Sequence, residues 1–456
     1  MTRTKFLIIG VLAFLLILLL GYLVIGGLSG GGEDNQPVTL TFWGPYDADD
    51  VYQGIIANYQ KLHPNITIEY QQIPFEQYEQ KLILALANDS GPDIWMMHNT
   101  WLPKQQQFIQ PLPQTPAPGT KTPLFTYNDF VNGERGFVDV TIQDLTKDRD
   151  IYGLPLYVDT LALYYNKDMF NEAGITRPPK TYNEFNRDVQ LLTKRDGQNH
   201  IIQSGAAIGT ADNINRASDI LMMMMIQSGA VMTNEDNTEA TFARAIDGLP
   251  VGEQALQYYT EFSNPSLISP DPTKYRYAWD LTLPYSVDSF SKSVSGTPTA
   301  MMFNYSHQID IITSRNRGLN FGVAEVPQPD GAPNGDKMSL ATYWAPTVSK
   351  KSANTFESWQ FLVYLATSAD TANYLNNTGR PAARRDLVEE QKNDPELGVF
   401  ARQSLIARSW YQADNSIIEK IFLDMISSVN RGAATEREAL LTAENLVTLE
   451  MERLSN

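Results

Sequence analysis

Three features of the sequence predict an α/β protein of more than one domain, carried behind a transmembrane helix. Segments with strand and helix periods alternate from Val38 onward. The 456 residues exceed what a single hydrophobic core serves. An uncharged apolar run fills most of the first thirty positions.

That run comes first in the chain. Phe6 to Leu28 carry no charge, and at a rise of about 1.5 Å per residue they make a helix of about 34 Å, enough to cross a bilayer. Arg3 and Lys5 precede the run and no basic cluster follows it, so the positive-inside bias puts the N-terminus in the cytoplasm and the rest outside. A cleaved signal peptide is the alternative. The apolar stretch is longer than the usual signal core and no A-x-A site follows it. A retained single-pass anchor (residues 1–28) and a flexible tether (29–36, with the run SGGGEDNQ) are expected.

Beyond the tether, VTLTFW (38–43) has strand composition and stops at Gly44-Pro45. Val51, Ile55, Tyr59 and Leu62 mark an amphipathic helix, ITIEY (66–70) a second strand, and Leu82, Ala85 and Leu86 a second helix. Ile94–Met97 is a continuous apolar strand of the kind covered on both faces in a parallel sheet. LALYY (161–165), TAMMFN (299–304) and FGVAEV (321–326) are further strands. Helices follow at 182–194, 219–227, 359–366 and 417–426, with a last one from Ala434 whose Thr435-x-x-Glu438 forms a capping box. Met222–Met225 cannot share one helix face and are expected in a core, not as metal ligands.

Composition removes several functions. The 43% apolar content excludes a disordered chain. A net charge of −17, with no basic block to relieve it, argues against a nucleic-acid partner. Without cysteine there is no disulfide, thiolate metal site, thiol nucleophile or lipid anchor through cysteine. The four histidines are isolated, the string GLSGG (27–31) falls at the tether and not between a strand and a helix as an elbow would, and no phosphate-cradling loop occurs. No metal, cofactor or catalytic residue is expected. Some pair among 52 acids would always look like a glycosidase pair, so an extracellular carbohydrate-active enzyme stays open on count alone.

The ordered series KLHPNITIEY, YEQKLILALANDSGPDIWMM, IYGLPLYVDTLALYYNKDMFNEAGI, PKTYNEF, GTPTAMMFNYS, YWAPTVSKKSANTFESWQFLVYL, NTGRPAARRD and GAATEREAL resembles the extracellular solute-binding proteins of ABC importers. The resemblance is to the branch containing maltose-binding protein. It spans nearly the whole chain past the tether and rests on order and spacing, not on one motif. It implies two α/β lobes joined by a hinge, closing on a ligand, with a first lobe of 37–154 plus 299–343 and a second of 155–298 plus 344–456. It also implies a carbohydrate ligand, permease subunits as partners, an extracellular or periplasmic soluble part, and a monomer. The same fold with a polyamine, peptide or ferric ligand is the alternative. Tyr164 and Tyr165 alternate across a strand and cannot share an iron.

Sugars need bidentate polar groups and aromatic platforms, and ligand crevices lie at the carboxyl ends of strands and between lobes. On that geometry Trp43, Tyr46 and Asp47 after the first strand, and Tyr78 on the second helix, are candidates. Asn99 and Thr100 follow the IWMM strand, whereas Asp93 precedes it and reads as a turn acid. The resemblance places a sugar-binding acid at Asp159, with Tyr157 on the same side of its strand. It also points to the loop with Asn304, Tyr305 and His307, and to Tyr343, Trp344, Arg380 and Trp410.

Overall fold

The computed structural model describes residues 36–116, 120–133, 135–267, 276–291, 296–333 and 336–455. The predicted anchor at 6–28 lies outside them. Among the described residues no helix is long and apolar enough to cross a membrane.

The elements that build the site are, in chain order, β1 (Val38–Gly44), α1 (Gln53–Leu62), β2 (Ile66–Gln72), α2 (Phe75–Ala87), β3 (Ile94–His98), α3 (Asp139–Leu145), β4 (Asp159–Thr160) and β5 (Ala162–Asn166). There follow α4 (Ala217–Gln227), β6 (Met301–Asn304), α5 (Gln308–Arg315), β7 (Phe321–Ala324), β8 (Ser339–Thr342) and β9 (Trp344–Val348). The chain then forms α6 (Thr355–Thr367), β10 (Ala407–Arg408), α7 (Asn415–Asn430) and α8 (Glu436–Ser455). The capping box before α8 is present, with Glu438 N–H donating to Thr435 Oγ1 and Thr435 N–H to Glu438 Oε2.

The buried side chains divide into two cores. One gathers Leu40 to Val158 and then Ala341 to Ala407. The other gathers Leu161 to Leu340, Phe400, and Trp410 to Met451, with Met222–Met225 wholly inside it. The first core lies on the sheet β9-β3-β1-β2, where β1 runs parallel to β2 and β3 while β9 is antiparallel to β3. The second holds β6-β5-β7, in which both pairings are antiparallel, with Ser204 and Ala207 bridging in parallel to Thr299 and Met302 on the β6 side, so the expected parallel sheet is continuous only in the first lobe.

This partition corrects the division expected from sequence. Residues 299–340 belong to the second lobe because β6 and β7 pair with β5, and 344–407 return to the first because β9 pairs with β3. Periodicity shows that a segment is a strand and not which sheet it joins. The chain passes between lobes three times, at 159–160, near 341–342 and at 408–409. The three passages lie side by side as the small sheet β10-β8-β4, which is the hinge.

Candidate functional site

Trp344 is the first residue of β9, just past the second passage, and register sets it beside His98 at the end of β3. Five rings surround it nearly edge-on: Trp101 at 4.9 Å, His98 at 5.3 Å, Tyr46 at 5.6 Å, Tyr78 at 5.7 Å and Phe75 at 6.3 Å. Perpendicular contacts of this kind are the favoured geometry for ring quadrupoles. Trp344, Trp101 and Tyr78 are buried, while Tyr46 and Phe75 stay 44% and 49% exposed. Those two stack on each other at 5.3 Å and 19°. The group is thus a fixed aromatic block with two open faces at its edge. β1 can turn there because residue 44 is glycine: a Cβ would meet the Tyr70 hydroxyl at 2.5 Å.

His98 is held on both sides, Nδ1 at 2.8 Å from Thr100 Oγ1 and Nε2 at 2.9 Å from Thr342 Oγ1. Burial, reinforced by the charges of Lys104 and Arg216, pushes its pKa down to about 3. The imidazole is therefore neutral at physiological pH. Arg216 belongs to the second lobe, and its charge also opposes the burial that pushes the Tyr46 hydroxyl up to about 12. The charge of a second-lobe residue is thus felt at two members of the aromatic block.

The acids beside this block hold protein groups. Asp47 is buried, paired with Arg380 at 2.7 Å, and accepts hydrogen bonds from Tyr52 (2.6 Å) and Tyr374 (2.9 Å). The Arg380 guanidinium lies 4.3 Å over the Tyr157 ring and donates to the Tyr374 hydroxyl. Asp159, on the first passage, accepts from Ser306 N–H (3.0 Å), Ser306 Oγ (2.7 Å) and Thr160 N–H (2.8 Å), with His307 Nδ1 at 3.9 Å. It clamps the hinge strand to the loop between β6 and α5.

From the second lobe, Tyr305 is buried, donates to Asp219 at 2.9 Å and stacks on half-exposed His307 at 6.2 Å. Asn304 is fully buried and donates to Asn215 at 2.9 Å. The lobes touch directly where Trp101 donates to Asn415 and Lys104 bridges Glu79 and Asp414.

A separate cavity of about 680 Å³ lies on the other flank of the 98–106 segment, lined by Asn99, Thr100, Asp144, Arg408, Trp410 and Tyr411 among others. His98 and Trp101 turn to Trp344, whereas Asn99 and Thr100 turn to this cavity. Asp144 accepts from Asn99 (2.9 Å), Tyr343 (2.8 Å) and Ser409, joining α3 to two of the three passages. Burial raises its carboxyl to about 6 against those three hydrogen bonds.

The family match covers residues 45–372 and is to the bacterial extracellular solute-binding protein family. The chain belongs to that family. A binding protein of Brucella abortus is 22% identical over 87% of this chain and 90% of its own length. The arabinooligosaccharide-binding protein of Bacillus subtilis is 24% identical over 57% of this chain and 55% of its own. Among solved structures, the sugar-binding protein MalE of Xanthomonas citri superposes with a TM-score of 0.71 at 20% identity, over 91% of this chain and 98% of that one. At that identity the likeness speaks to the fold.

The candidate residues of this solute-binding protein therefore separate into groups. Tyr46 and Trp344 come together on the interlobe face, with Tyr78 as the layer behind Trp344. Asp47, Tyr157 and Arg380 form one closed network in the first lobe, and Asp159, Asn304, Tyr305 and His307 line the second-lobe side. Asn99, Thr100, Tyr343 and Trp410 sit at or around the 680 Å³ cavity, which Ile226 and Met232 line from the second lobe, and among the described residues the buried Trp410 indole N–H has no hydrogen-bond partner. The Trp43 ring lies under Lys81 of α2 at 5.0 Å, while its carbonyl accepts from the Tyr78 hydroxyl at 3.3 Å. Phe75, Asp144 and Arg216 escaped the sequence reading. Phe75 after Pro74 reads as an ordinary helix start, and Arg216 lies in a polar loop with no motif.

Proposed function

We propose that this solute-binding protein captures a neutral carbohydrate between its lobes outside the cell and passes it to the permease subunits of an ABC importer. In this reading the segment 6–28 is the transmembrane anchor, 29–36 the tether, and the protein acts as a monomer. The observation that carries the ligand class is the stacked Tyr46–Phe75 pair, half exposed on an otherwise buried aromatic block that the charge of second-lobe Arg216 reaches. Flat apolar rings beside hydrogen-bonding groups suit the C–H faces and hydroxyls of a sugar ring. The arabinooligosaccharide-binding and MalE relatives support the same class by their names.

A polyamine would want free carboxylates, and Asp47 and Asp159 are each occupied by several protein donors. The same saturation argues against their use as a hydrolytic pair, so the protein is read as a binder and not an enzyme. The test is thermal unfolding of the full chain with maltotetraose, arabinotriose, diacetylchitobiose and spermidine. A ligand at a hundred times its Kd adds about 2.7 kcal/mol. Stabilisation by spermidine and by no sugar would refute the carbohydrate assignment.

A further inference from the structure

Arg216 is a non-glycine residue in the left-handed region, φ 66° and ψ 27°, immediately before α4. An L-residue pays strain there, and such strain persists only where the surroundings impose it. The surroundings do so through two asparagines. Asn213 accepts from Thr210 Oγ1 (2.5 Å) and Trp279 Nε1 (2.9 Å) and donates to the carbonyls of Asp280 (2.9 Å) and Leu283 (3.0 Å). Asn215 donates through N–H to Ser286 Oγ (2.8 Å) and through Nδ2 to the Tyr285 hydroxyl (2.7 Å), and accepts from Asn304 Nδ2 (2.9 Å). Every polar atom of those two side chains fastens the loop that presents residue 216.

The presented side chain does nothing comparable for the fold. Its guanidinium lies over the Tyr305 ring at 5.5 Å, and among the described residues it donates no hydrogen bond and makes no ion pair. Its Nε is buried and unpaired. A guanidinium offers five donors in a rigid fork, and here the buried Nε is unmatched by the fold while the Nη donors are left to solvent or to a ligand. The fork lies over Tyr305, whose ring stacks on His307 beside Asp159 of the hinge strand; its charge reaches Tyr46 and His98 of the first lobe, and His98 is itself committed to two threonine hydroxyls.

We infer that Arg216 is the residue that reads the ligand of the proposed site, its fork donating to two adjacent hydroxyl oxygens of a neutral saccharide lying on the Tyr46–Phe75 edge. This rests on the carbohydrate reading above. Neutrality follows from the acids nearby: Asp219 and Glu419 both lie in the field of Arg216 and offset its charge, so no anionic group is needed to balance it. Asp219 is held by the Tyr305 hydroxyl, which fixes it behind the ring that supports the guanidinium.

Calorimetric titration and thermal unfolding of the full chain, wild type against Arg216→Gly and Arg216→Lys, test this. The probes are maltotetraose, arabinotriose, diacetylchitobiose and tri-galacturonate. Glycine adopts φ near 66° without strain, so Arg216→Gly should melt no lower than wild type without ligand. It should bind the preferred neutral sugar at least tenfold more weakly, and Arg216→Lys, which keeps the charge and loses the fork, should also bind more weakly. Unchanged affinity in Arg216→Gly would overturn the assignment of Arg216 while the carbohydrate reading stood. Stabilisation of wild type by tri-galacturonate alone would overturn the neutral-hydroxyl chemistry. Binding of no saccharide at all would remove the functional reading and this inference with it.

Discussion

The indole N–H of Trp101 donates to Asn415 Oδ1 at 2.7 Å, and the two residues belong to different lobes. Trp101 also touches Trp344 edge-on at 4.9 Å, so the aromatic block of the first lobe is tied to the first turn of α7 in the second. Lys104 adds a second tie to Asp414, the residue that caps the same helix. These contacts tie one lobe to the other, and they give closure a residue-level handle.

Asn415→Ala removes the acceptor and leaves the buried indole N–H unpaired. The cost is about 1 to 3 kcal/mol, and it falls on the closed form. Small-angle scattering should report a larger radius of gyration for the ligand-free variant. Each 1.4 kcal/mol taken from closure weakens ligand binding about tenfold. An unchanged scattering profile would show that this contact does not govern closure.

Trp344→Ala takes the centre from five ring contacts at once. The expected loss is about 3 to 5 kcal/mol, as for other large buried aromatics. Urea unfolding followed by circular dichroism should show a lower midpoint. A loss below about 1 kcal/mol would mean that the surrounding rings collapse into the space.

Much of this arrangement is visible in the sequence and much is not, for reasons that particular residues make plain. The strand 94–98 is legible because its apolar run is local, whereas Asp93, expected to satisfy its own turn, instead takes the N–H and hydroxyl of Thr41 on β1 at 2.9 Å each and the hydroxyl of Ser352, at the end of β3 away from the hinge. The meeting of His98 with Trp344 is not local, since it depends on β9 returning to the first sheet. That return is what the expected lobe boundaries missed. Asp47 is a candidate by its place after the first strand and Asp159 by the resemblance, and neither ground reveals that Arg380 and Ser306 partner them. Arg216 carries no sequence signal, because what distinguishes it is a backbone angle and an absence of partners.

Asp159→Ala follows from that correction. With the carboxylate gone, the buried N–H and Oγ of Ser306 and the N–H of Thr160 lose their acceptor. A stability loss of about 3 kcal/mol is expected, from about 1 to 3 kcal/mol for each unsatisfied group that solvent cannot reach. The urea midpoint should fall with the slope unchanged. A ligand-free variant as stable as wild type would instead make Asp159 a residue with a purely ligand-directed role.

His98 predicts a pH effect of definite sign. Its folded pKa of about 3 lies below the ordinary value of 6.5, so the unfolded chain takes up a proton first as pH falls. The stabilising contribution is complete above about 6.5 and is lost progressively between about 6.5 and 3. Asp144 runs the opposite way over part of that range, because its carboxyl is raised to about 6 and its contribution is lost as pH rises from about 4 through 6. Comparing wild type with His98→Gln at each pH cancels the Asp144 effect. The stability difference between them should shift in favour of the variant as pH falls from 7 to 4. A pH-independent difference would mean that His98 protonates in the folded protein.

The central claim is that the half-exposed Tyr46–Phe75 pair is the platform on which a sugar lies. It is tested most directly by calorimetric titration of the full chain with whichever neutral oligosaccharide gives the largest thermal shift. Wild type is compared with the Tyr46→Ala/Phe75→Ala double variant. The account predicts one site per chain in wild type, and at least about tenfold weaker binding in the variant, the equivalent of about 1.4 kcal/mol. Because both rings are half exposed, the variant's ligand-free melting should stay close to that of wild type. Equal affinity in the two proteins would contradict it.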